Sequence, residues 1–231
     1  IVSKSLQPQA TPGAPAEISL QQWSNAPASA AMVAFGAFNL QGGKVTVNGF
    51  LFDAKNLQYP QVLAKQYTMD SSEDAPRQIA HRFADEIIFR LGGGTPGIAE
   101  SKIYYVQMAG GNKEIWAMDY DGANQHPITH LGTVSISPRI SPDNSRLAFS
   151  SLGRLGFQIR VYSLLLGRMV NFPSVGGTNL SPAWSPDSKD LAYSSSRSGD
   201  PEIWITDANG SLARRITSFR GPDVSPVYNP K

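Results

Sequence analysis

Acidic and histidine side chains are the groups in this sequence that could do chemistry. Asp143 and Asp187 occupy the same place in two Ser-Pro-Asp segments 44 residues apart, which invites a catalytic or metal-binding interpretation. A turn explains them better, because an aspartate in this setting accepts a hydrogen bond from the backbone two residues further on. His126 and His130 lie four residues apart on one predicted strand, but no third ligand is spaced to complete a zinc site. We expect both to be ordinary exposed or half-buried histidines.

The sequence lacks the common catalytic and ligand-binding motifs. Residues 119–122 (DYDG) resemble the start of a calcium loop, but the third Asp or Asn and the later Glu are missing. There is no Gly-x-Ser-x-Gly segment and no phosphate-binding glycine loop ending in Lys-Ser or Lys-Thr. The absence of cysteine excludes disulfides, zinc thiolates and thiol nucleophiles. We therefore expect neither an enzyme nor a cofactor or metal site.

Charge and hydropathy exclude two further classes of partner. The 20 basic and 18 acidic residues give a net charge of +2, too small to indicate nucleic-acid or membrane affinity. No apolar run approaches the roughly 20 residues that span a bilayer. The 21 glycines and 17 prolines favour a turn-rich β architecture.

A 44-residue repeat organises the second half of the chain. Residues 137–143 (SPRISPD) return as residues 181–187 (SPAWSPD) and again as residues 225–230 (SPVYNP). A period of about 40–45 residues with several short strands is typical of β-propeller blades. One position of the repeat, which we expect to pack between blades, holds Ile140, Trp184 and Tyr228.

The predicted strands amount to three blades. They cover residues 102–107, 114–120 and 125–130, then 138–141, 146–151, 158–164 and 169–172, then 182–185, 190–195, 202–207 and 214–219, with a lone strand at 225–229. Propellers usually need about four to eight blades to close. We therefore expect a fragment or half of an assembly, in which a homodimer would complete a six-bladed ring.

The first third of the chain predicts a small α+β domain. Residues 1–30 are rich in Pro, Ala, Ser and Gln and indicate a loop or mobile arm. Strands are predicted at 32–38, 44–52 and 61–69, followed by a helix whose apolar stripe runs from Ile79 to Leu91 and packs on the strands. The fold class is mainly β: a partial β-propeller (residues 97–231) preceded by a β-β-β-α domain (residues 31–96).

Two sets of motifs resemble one family. The repeat at residues 137–151 and 181–195 resembles the TolB-type propeller repeat, although other propellers share it. More specific are residues 44–53 (KVTVNGFLFD), 63–69 (LAKQYTM), 79–91 (IAHRFADEIIFRL) and 97–106 (GIAESKIYYV), which are similar, in order, to the later part of the TolB amino-terminal domain and its entry into the propeller. The resemblance covers roughly residues 31–231. The opening strand and helix of the family's first domain, its extreme amino terminus and about half of its blades have no counterpart in this sequence.

The resemblance implies a function. TolB proteins are periplasmic, non-enzymatic members of the Tol-Pal envelope system with a six-bladed propeller, which binds the peptidoglycan-associated lipoprotein Pal over the mouth of its channel. Their amino-terminal segment communicates with the inner-membrane protein TolA. The end of the chain, residues 225–231, resembles the family's closing strand, which completes the first blade.

The loops that enter each innermost strand are the best candidates for a binding site, because in a propeller they surround one mouth of the channel. By the resemblance, Thr178, Asn179 and Ser181 fall where the family contacts its lipoprotein. Small polar residues suit a wet interface, and glycines let a partner backbone approach closely. The alternative is that these are short polar loops that bind no partner. The candidate residues are Ser135, Ser137, Gly177, Thr178, Asn179, Ser181, Asp223 and Ser225.

Two other classes of protein stay open from the sequence alone. The repeats could form the propeller lid of a serine peptidase or other hydrolase whose catalytic domain lies outside these residues, although the β-β-β-α unit argues against it. They could also belong to a sensor or transport protein that uses the same modules.

Overall fold

The structure is a computed structural model that describes residues 1–9 and 12–229. It divides into two compact units, Ile1–Ser101 and Lys102–Lys231. The finer division at residues 1–30, 31–96 and 97–231 stays a prediction.

Three antiparallel strands form the sheet of the first unit: β1 (Met32–Gln41), β2 (Lys44–Asp53) and β3 (Gln61–Asp70), in that order. Gly42 and Gly43 both have positive φ, +58° and +72°, as a two-residue hairpin turn requires. The three predicted strands are confirmed, each extending one to three residues beyond its predicted end.

Short helical segments and one long helix cover the two faces of this sheet. Residues 1–30, whose composition indicated a loop or arm, contain 3-10 turns at Lys4–Leu6 and Pro15–Glu17 and the helix α1 (Leu20–Ser24). Ile18, Leu20 and Trp23 from this segment pack against the cluster around Phe35 and Phe52. Composition alone did not predict these contacts.

The predicted long helix is confirmed as α2 (Ala75–Leu91), which packs against β2 and β3. Gly49 lets it come close, since a Cβ there would lie 3.0 Å from a ring carbon of Phe83. Only the first half of the predicted apolar stripe is covered: Ile79 is buried, whereas Leu91 is exposed.

The second unit consists of three sheets that repeat every 44 residues. In the complete sheets the strand that comes first in sequence lies at one edge, and we call it the inner strand. The first sheet has no inner strand among the residues that the structure describes, so the fold class is confirmed as an open, partial propeller. Blade 1 contains β4 (Lys102–Ala109), β5 (Asn112–Asp119) and β6 (His126–Pro127); blade 2 contains β7 (Ser135–Ile140), β8 (Arg146–Gly153), β9 (Gly156–Ser163) and β10 (Arg168–Val170); blade 3 contains β11 (Asn179–Trp184), β12 (Asp190–Ser195), β13 (Glu202–Asp207) and β14 (Arg214–Arg215).

Apolar side chains from neighbouring blades form the core of this unit. Ile159 and Val161 of blade 2 share a buried cluster with Trp184 and Tyr193 of blade 3. Packing between blades is confirmed for Trp184, whereas Ile140 at the same repeat position is exposed.

The predicted twelfth strand is wrong. Residues 225–229 are not in a strand, and none of the described residues pairs with the free edge of β4. The segment therefore does not complete the first blade, because Asp223 lies against blade 3, where its N–H donates to the carbonyl oxygen of Pro201 at 2.7 Å. Pro230 and Lys231 lie outside the described residues.

Candidate functional site

The repeat places three candidate residues at equivalent positions, two of them at the start of the inner strands β7 and β11. Ser135 is fully buried and its hydroxyl lies 3.3 Å from that of Ser151 on the next strand. Asn179, 44 residues later, is 1% exposed, and Asp223 follows after another 44 residues. These polar side chains are therefore embedded at the strand entry instead of extending freely into solvent.

Two residues after each of these positions lies a candidate serine with an unusual backbone conformation. Ser137, Ser181 and Ser225 have left-handed φ values of +56°, +55° and +57°, and each precedes a proline, which disfavours the right-handed helical conformation before it. The register of β7 and of β11 shifts at these serines. A serine at this repeat position thus marks a bulge in the inner strands β7 and β11.

The loop before β11 is held by close backbone contacts. Gly177 has φ +76°, and a Cβ there would lie 2.6 Å from the backbone nitrogen of Arg197, so a larger residue does not fit. The N–H of Thr178 donates to the Ser196 hydroxyl at 2.9 Å, and its carbonyl oxygen accepts from the Ser196 N–H at 3.1 Å. The exposed Thr178 side chain is thus presented from a fixed backbone.

Asn179 ties this loop to blade 2. Its amide nitrogen donates to Gln158 Oε1 and to the carbonyl oxygen of Gly177, both at 3.2 Å. Gln158 in turn donates to the same Gly177 oxygen at 3.0 Å and accepts from Ser174. The site therefore depends on Gln158, which was not among the candidate residues predicted from the sequence.

A repeated polar position could have revealed Gln158. Residues 114, 158 and 202, spaced by 44, are Glu, Gln and Glu, and all three are buried. Glu114 and Glu202 accept hydrogen bonds from the hydroxyls of Thr129 and Thr217, each at 2.5 Å. Each blade therefore uses this side chain to fix the loop that leads to the next inner strand.

Several buried polar atoms at this end of the blades have no hydrogen-bond partner within the described part of the chain. They are Oδ1 of Asn179, Oδ2 of Asp223, and Nε and Nη2 of Arg197. The Arg197 guanidinium stacks 3.3 Å from the centre of the Trp204 ring. An unsatisfied buried polar group costs roughly 1–3 kcal/mol, so these atoms are polar groups that the described loops leave without compensation. Arg197 was not among the candidate residues predicted from the sequence.

The repeated aspartates are confirmed as turn residues. Asp143 accepts from the Ser141 hydroxyl at 2.6 Å and from the N–H of Ser145 at 3.0 Å. Asp187 accepts from the Ser185 hydroxyl at 2.7 Å in the equivalent turn. These serine hydrogen bonds lower the pKa of both carboxyl groups. Both aspartates are thus engaged in holding local turns.

Within residues 1–9 and 12–229, no cluster of three or more His, Cys, Asp or Glu side chains could hold a metal ion. His126 lies on the surface, with Nδ1 2.7 Å from the carbonyl oxygen of Asn124. None of the helices described is long and apolar enough to cross a membrane.

A cleft of about 580 Å³ in the first unit is lined by several charged side chains. Lys65 pairs there with Glu86, and Arg82 Nε lies 3.1 Å from Glu100. Asp85 accepts hydrogen bonds from two backbone N–H groups of the adjoining loop. Because these side chains already bind one another or the backbone, the cleft does not present a free acid–base pair.

Comparison with known proteins identifies the family. Residues 90–231 match the family model described as the TolB beta propeller domain. The chain is 31% identical over 202 residues to a TolB homolog of Chlorobium chlorochromatii, covering 87% of this chain and 44% of that protein. It is 32% identical over 206 residues to the Tol-Pal system protein TolB of Desulfosudis oleivorans, covering 89% and 45%.

A solved structure agrees with these relatives. The crystal structure of TolB from Acinetobacter baumannii superposes with a TM-score of 0.81 and 25% identity, covering 94% of this chain and 54% of that one. The chain thus spans about half the length of the proteins it matches. On the repeat, the sheets and these matches, the chain belongs to the TolB family.

Proposed function

We propose that this chain is a non-enzymatic, periplasmic scaffold of the Tol-Pal envelope system, and that it docks a Pal-like lipoprotein on the loops that enter its inner strands. The family assignment supports this proposal, as does the similarity to the Tol-Pal system protein TolB of Desulfosudis oleivorans. The family assignment does not favour the alternative of a hydrolase lid.

One observation carries the choice of surface. Asn179 lies at the entry to the inner strand β11, Asp223 occupies the equivalent position 44 residues later, and each has a buried side-chain oxygen without a hydrogen-bond donor among the described residues. Because both oxygens are buried in the free chain, we propose that a folded partner inserts its N–H or O–H donors between these loops to reach them. The exposed Thr178 next to them suits the polar rim of such an interface.

The loop geometry suits recognition of an already folded partner. Gly177 and Thr178 are fixed by Gln158 and Ser196 without any ligand, so little conformational entropy is lost when the partner binds. Pal-like binding would therefore use a preformed surface, in which the buried Ser135 and Asn179 hold the loops in place. The proposed residues are Ser135, Ser137, Gly177, Thr178, Asn179, Ser181, Asp223 and Ser225. In the longer family members we propose that a TolA-like inner-membrane protein is the second partner.

Isothermal titration calorimetry tests this function. The probe is the folded, water-soluble domain of a Pal lipoprotein of Desulfosudis oleivorans, produced without its lipid anchor, with heat-denatured Pal domain as the control. We expect saturable one-to-one binding with a Kd of about 10 µM or tighter, equivalent to roughly 7 kcal/mol. Absence of saturable binding at Pal concentrations of about 1 mM, where a Kd a hundredfold weaker would still register, would overturn the proposal.

A further inference from the structure

A cavity of about 290 Å³ lies between blades 1 and 2. It is lined by Lys102, Tyr104 and His126 on the side of blade 1 and by Tyr162 and Leu164 on the side of blade 2. Because of the 44-residue repeat, the junction between blades 2 and 3 has a residue equivalent to each of these. That second junction indicates which chemical group fits the cavity.

The junction between blades 2 and 3 holds a guanidinium group at the equivalent place. Lys102 corresponds to Arg146 and Leu164 to Ala208, each 44 residues further on. Arg146 crosses that junction, and its Nη1 donates a hydrogen bond to the carbonyl oxygen of Ala208 at 2.7 Å. The same nitrogen lies 3.4 Å from Oδ1 of Asn209. The space between Lys102 and Leu164 is therefore the space that the Arg146 guanidinium occupies one blade later.

Lys102 does not cross its own junction. Its ammonium group pairs with Asp119, which lies opposite it on the next strand of the same blade and is 6% exposed. This ion pair offsets the charge of Lys102, which would otherwise repel a cation in the cavity. Blade 2 has Ser163 at the position of Asp119, so no carboxylate there holds Arg146 within its own blade. The cavity is thus associated with two differences between the blades, lysine in place of arginine and aspartate in place of serine.

The side chains around the cavity are suited to a planar cation. Tyr104 and Tyr162 stand at the positions of Ala148 and Thr206 in the filled junction, so each adds a phenol. A phenol can accept a guanidinium group on its ring face or at its oxygen. Nδ1 of His126 lies 2.7 Å from a backbone carbonyl oxygen, so the neutral ring presents Nε2 as a further acceptor.

We propose that this cavity binds the guanidinium group of an arginine side chain that a partner protein inserts. The partner's arginine donates to the carbonyl oxygen of Leu164, as Arg146 donates to that of Ala208, and it contacts Tyr104 and Tyr162. The interaction reproduces, between two proteins, a contact that the chain already makes within itself.

The cavity and the proposed Pal-docking loops lie at opposite ends of the blades. Arg146 pairs with Ser163 at the start of β8, and Ser151 pairs with Ser135 towards its other end. Lys102 is at the Arg146 end, whereas the docking loops are at the Ser135 end. The two sites can therefore hold different partners, and the proposal does not depend on Pal docking.

An NMR titration of the isotopically labelled 231-residue chain tests the binding. The probe is N-acetyl-arginine amide, and the matched control is N-acetyl-citrulline amide, which has a neutral urea in place of the guanidinium group. We expect saturable shifts of the Leu164 and Gly167 amide signals with a Kd of about 10 mM or tighter for the arginine probe, and at least about tenfold weaker binding of the citrulline probe.

Three results of this titration would overturn the proposal. The first is equal binding of the arginine and citrulline probes. The second is the absence of saturable shifts up to about 100 mM arginine probe. The third is tighter binding of N-acetyl-glutamate amide, because the cavity would then be a site for an anion.

A double variant tests the equivalence of the two junctions. Lys102→Arg with Asp119→Ser gives blade 1 the arginine and serine of blade 2, so the chain's own guanidinium should fill the cavity. We expect the folded double variant to bind the arginine probe at least about tenfold more weakly than the wild type. Lys113→Arg, at an exposed position of the same blade, should leave binding unchanged. Wild-type affinity in the double variant would contradict the proposal.

Removal of the guanidinium group from the filled junction is the reciprocal test. Arg146→Ala should lower the midpoint of thermal unfolding, and about 50 mM arginine probe should restore part of the loss, whereas the citrulline probe should not. Arg154→Ala, at an exposed position, should show no such rescue. An unchanged midpoint in Arg146→Ala, or equal rescue by both probes, would show that this place does not recognise a guanidinium group.

Discussion

The indole Nε1 of Trp184 donates a hydrogen bond to the carbonyl oxygen of Arg139 at 3.0 Å and so joins the inner strands of two neighbouring blades. The same side chain is buried in the cluster shared by these blades. One residue therefore contributes both apolar burial and a specific hydrogen bond to the packing of blade on blade.

Replacing this tryptophan should destabilise the second unit. Trp184→Phe removes the hydrogen bond to the part-buried Arg139 carbonyl oxygen, and we expect a loss of roughly 0.5–1.5 kcal/mol in the free energy of unfolding. Trp184→Ala also creates a cavity and should cost about 3–5 kcal/mol. Urea unfolding followed by circular dichroism measures both. Leu165→Ala, at a site 80% exposed, is the control and should change stability by less than about 0.5 kcal/mol. Equal stability of Trp184→Phe and the wild type would contradict this account of the contact.

Replacing Leu212 by glycine should stabilise the protein. It has φ +55°, a left-handed conformation that costs a residue with a Cβ roughly 1–2 kcal/mol, and its side chain is 84% exposed. Leu212→Gly should therefore raise the midpoint of thermal unfolding. Leu165→Gly, equally exposed but without a positive φ, should lower it, because glycine there only increases the entropy of the unfolded chain. The same sign of shift for both variants would refute the explanation.

Stability should depend on pH through Asp119. The hydrogen bond from Lys102 lowers the pKa of this buried carboxyl group. A group whose pKa is lower in the folded state stabilises the protein above its unfolded pKa, about 3.9 for aspartate. That stabilisation is lost as the pH falls through the folded-state pKa. Asp119→Asn should thus lower the urea midpoint at pH 7 but have progressively less effect as the pH falls from about 4.

The matched control for this pH dependence is Asp200→Asn, at an exposed position in the second unit. Its urea midpoint should follow that of the wild type at every pH. A difference between Asp119→Asn and the wild type that stays constant as the pH is lowered would show that the stabilisation does not come from the charged carboxylate.

Periodic features of this fold could be predicted from the sequence, and features without a period could not. The 44-residue repeat predicted the blades, and the spacing from Ile79 to Leu91 predicted α2. Trp23 in contrast belongs to a segment of low periodicity, so its packing on the first sheet was not visible. The predicted strand at residues 225–229 is wrong because a local sequence pattern does not show whether a neighbouring strand is present to pair with it.

The same distinction applies to the candidate site. Asn179 and Asp223 could be predicted to occupy equivalent positions because they lie 44 residues apart in the repeat. The spacing of residues 114, 158 and 202 marks Gln158 as a repeated polar position, but it does not show that Gln158 reaches Asn179. Arg197 has no such repeated counterpart in the sequence. Their contribution depends on how the blades pack, which only the structure shows.

The affinity of two single variants for the Pal domain tests the central claim most directly. Thr178→Arg puts a large cation on the proposed docking loop. Ser211→Arg puts the same cation near Asp207, at the opposite end of blade 3, since the register joins Asn179 to Ser195 and Asp190 to Asp207. By calorimetry we expect Thr178→Arg to weaken binding at least about tenfold, or roughly 1.4 kcal/mol, and Ser211→Arg to stay within about twofold of the wild type. Equal affinities for the two variants, or a larger loss in Ser211→Arg, would contradict docking at the entries to the inner strands.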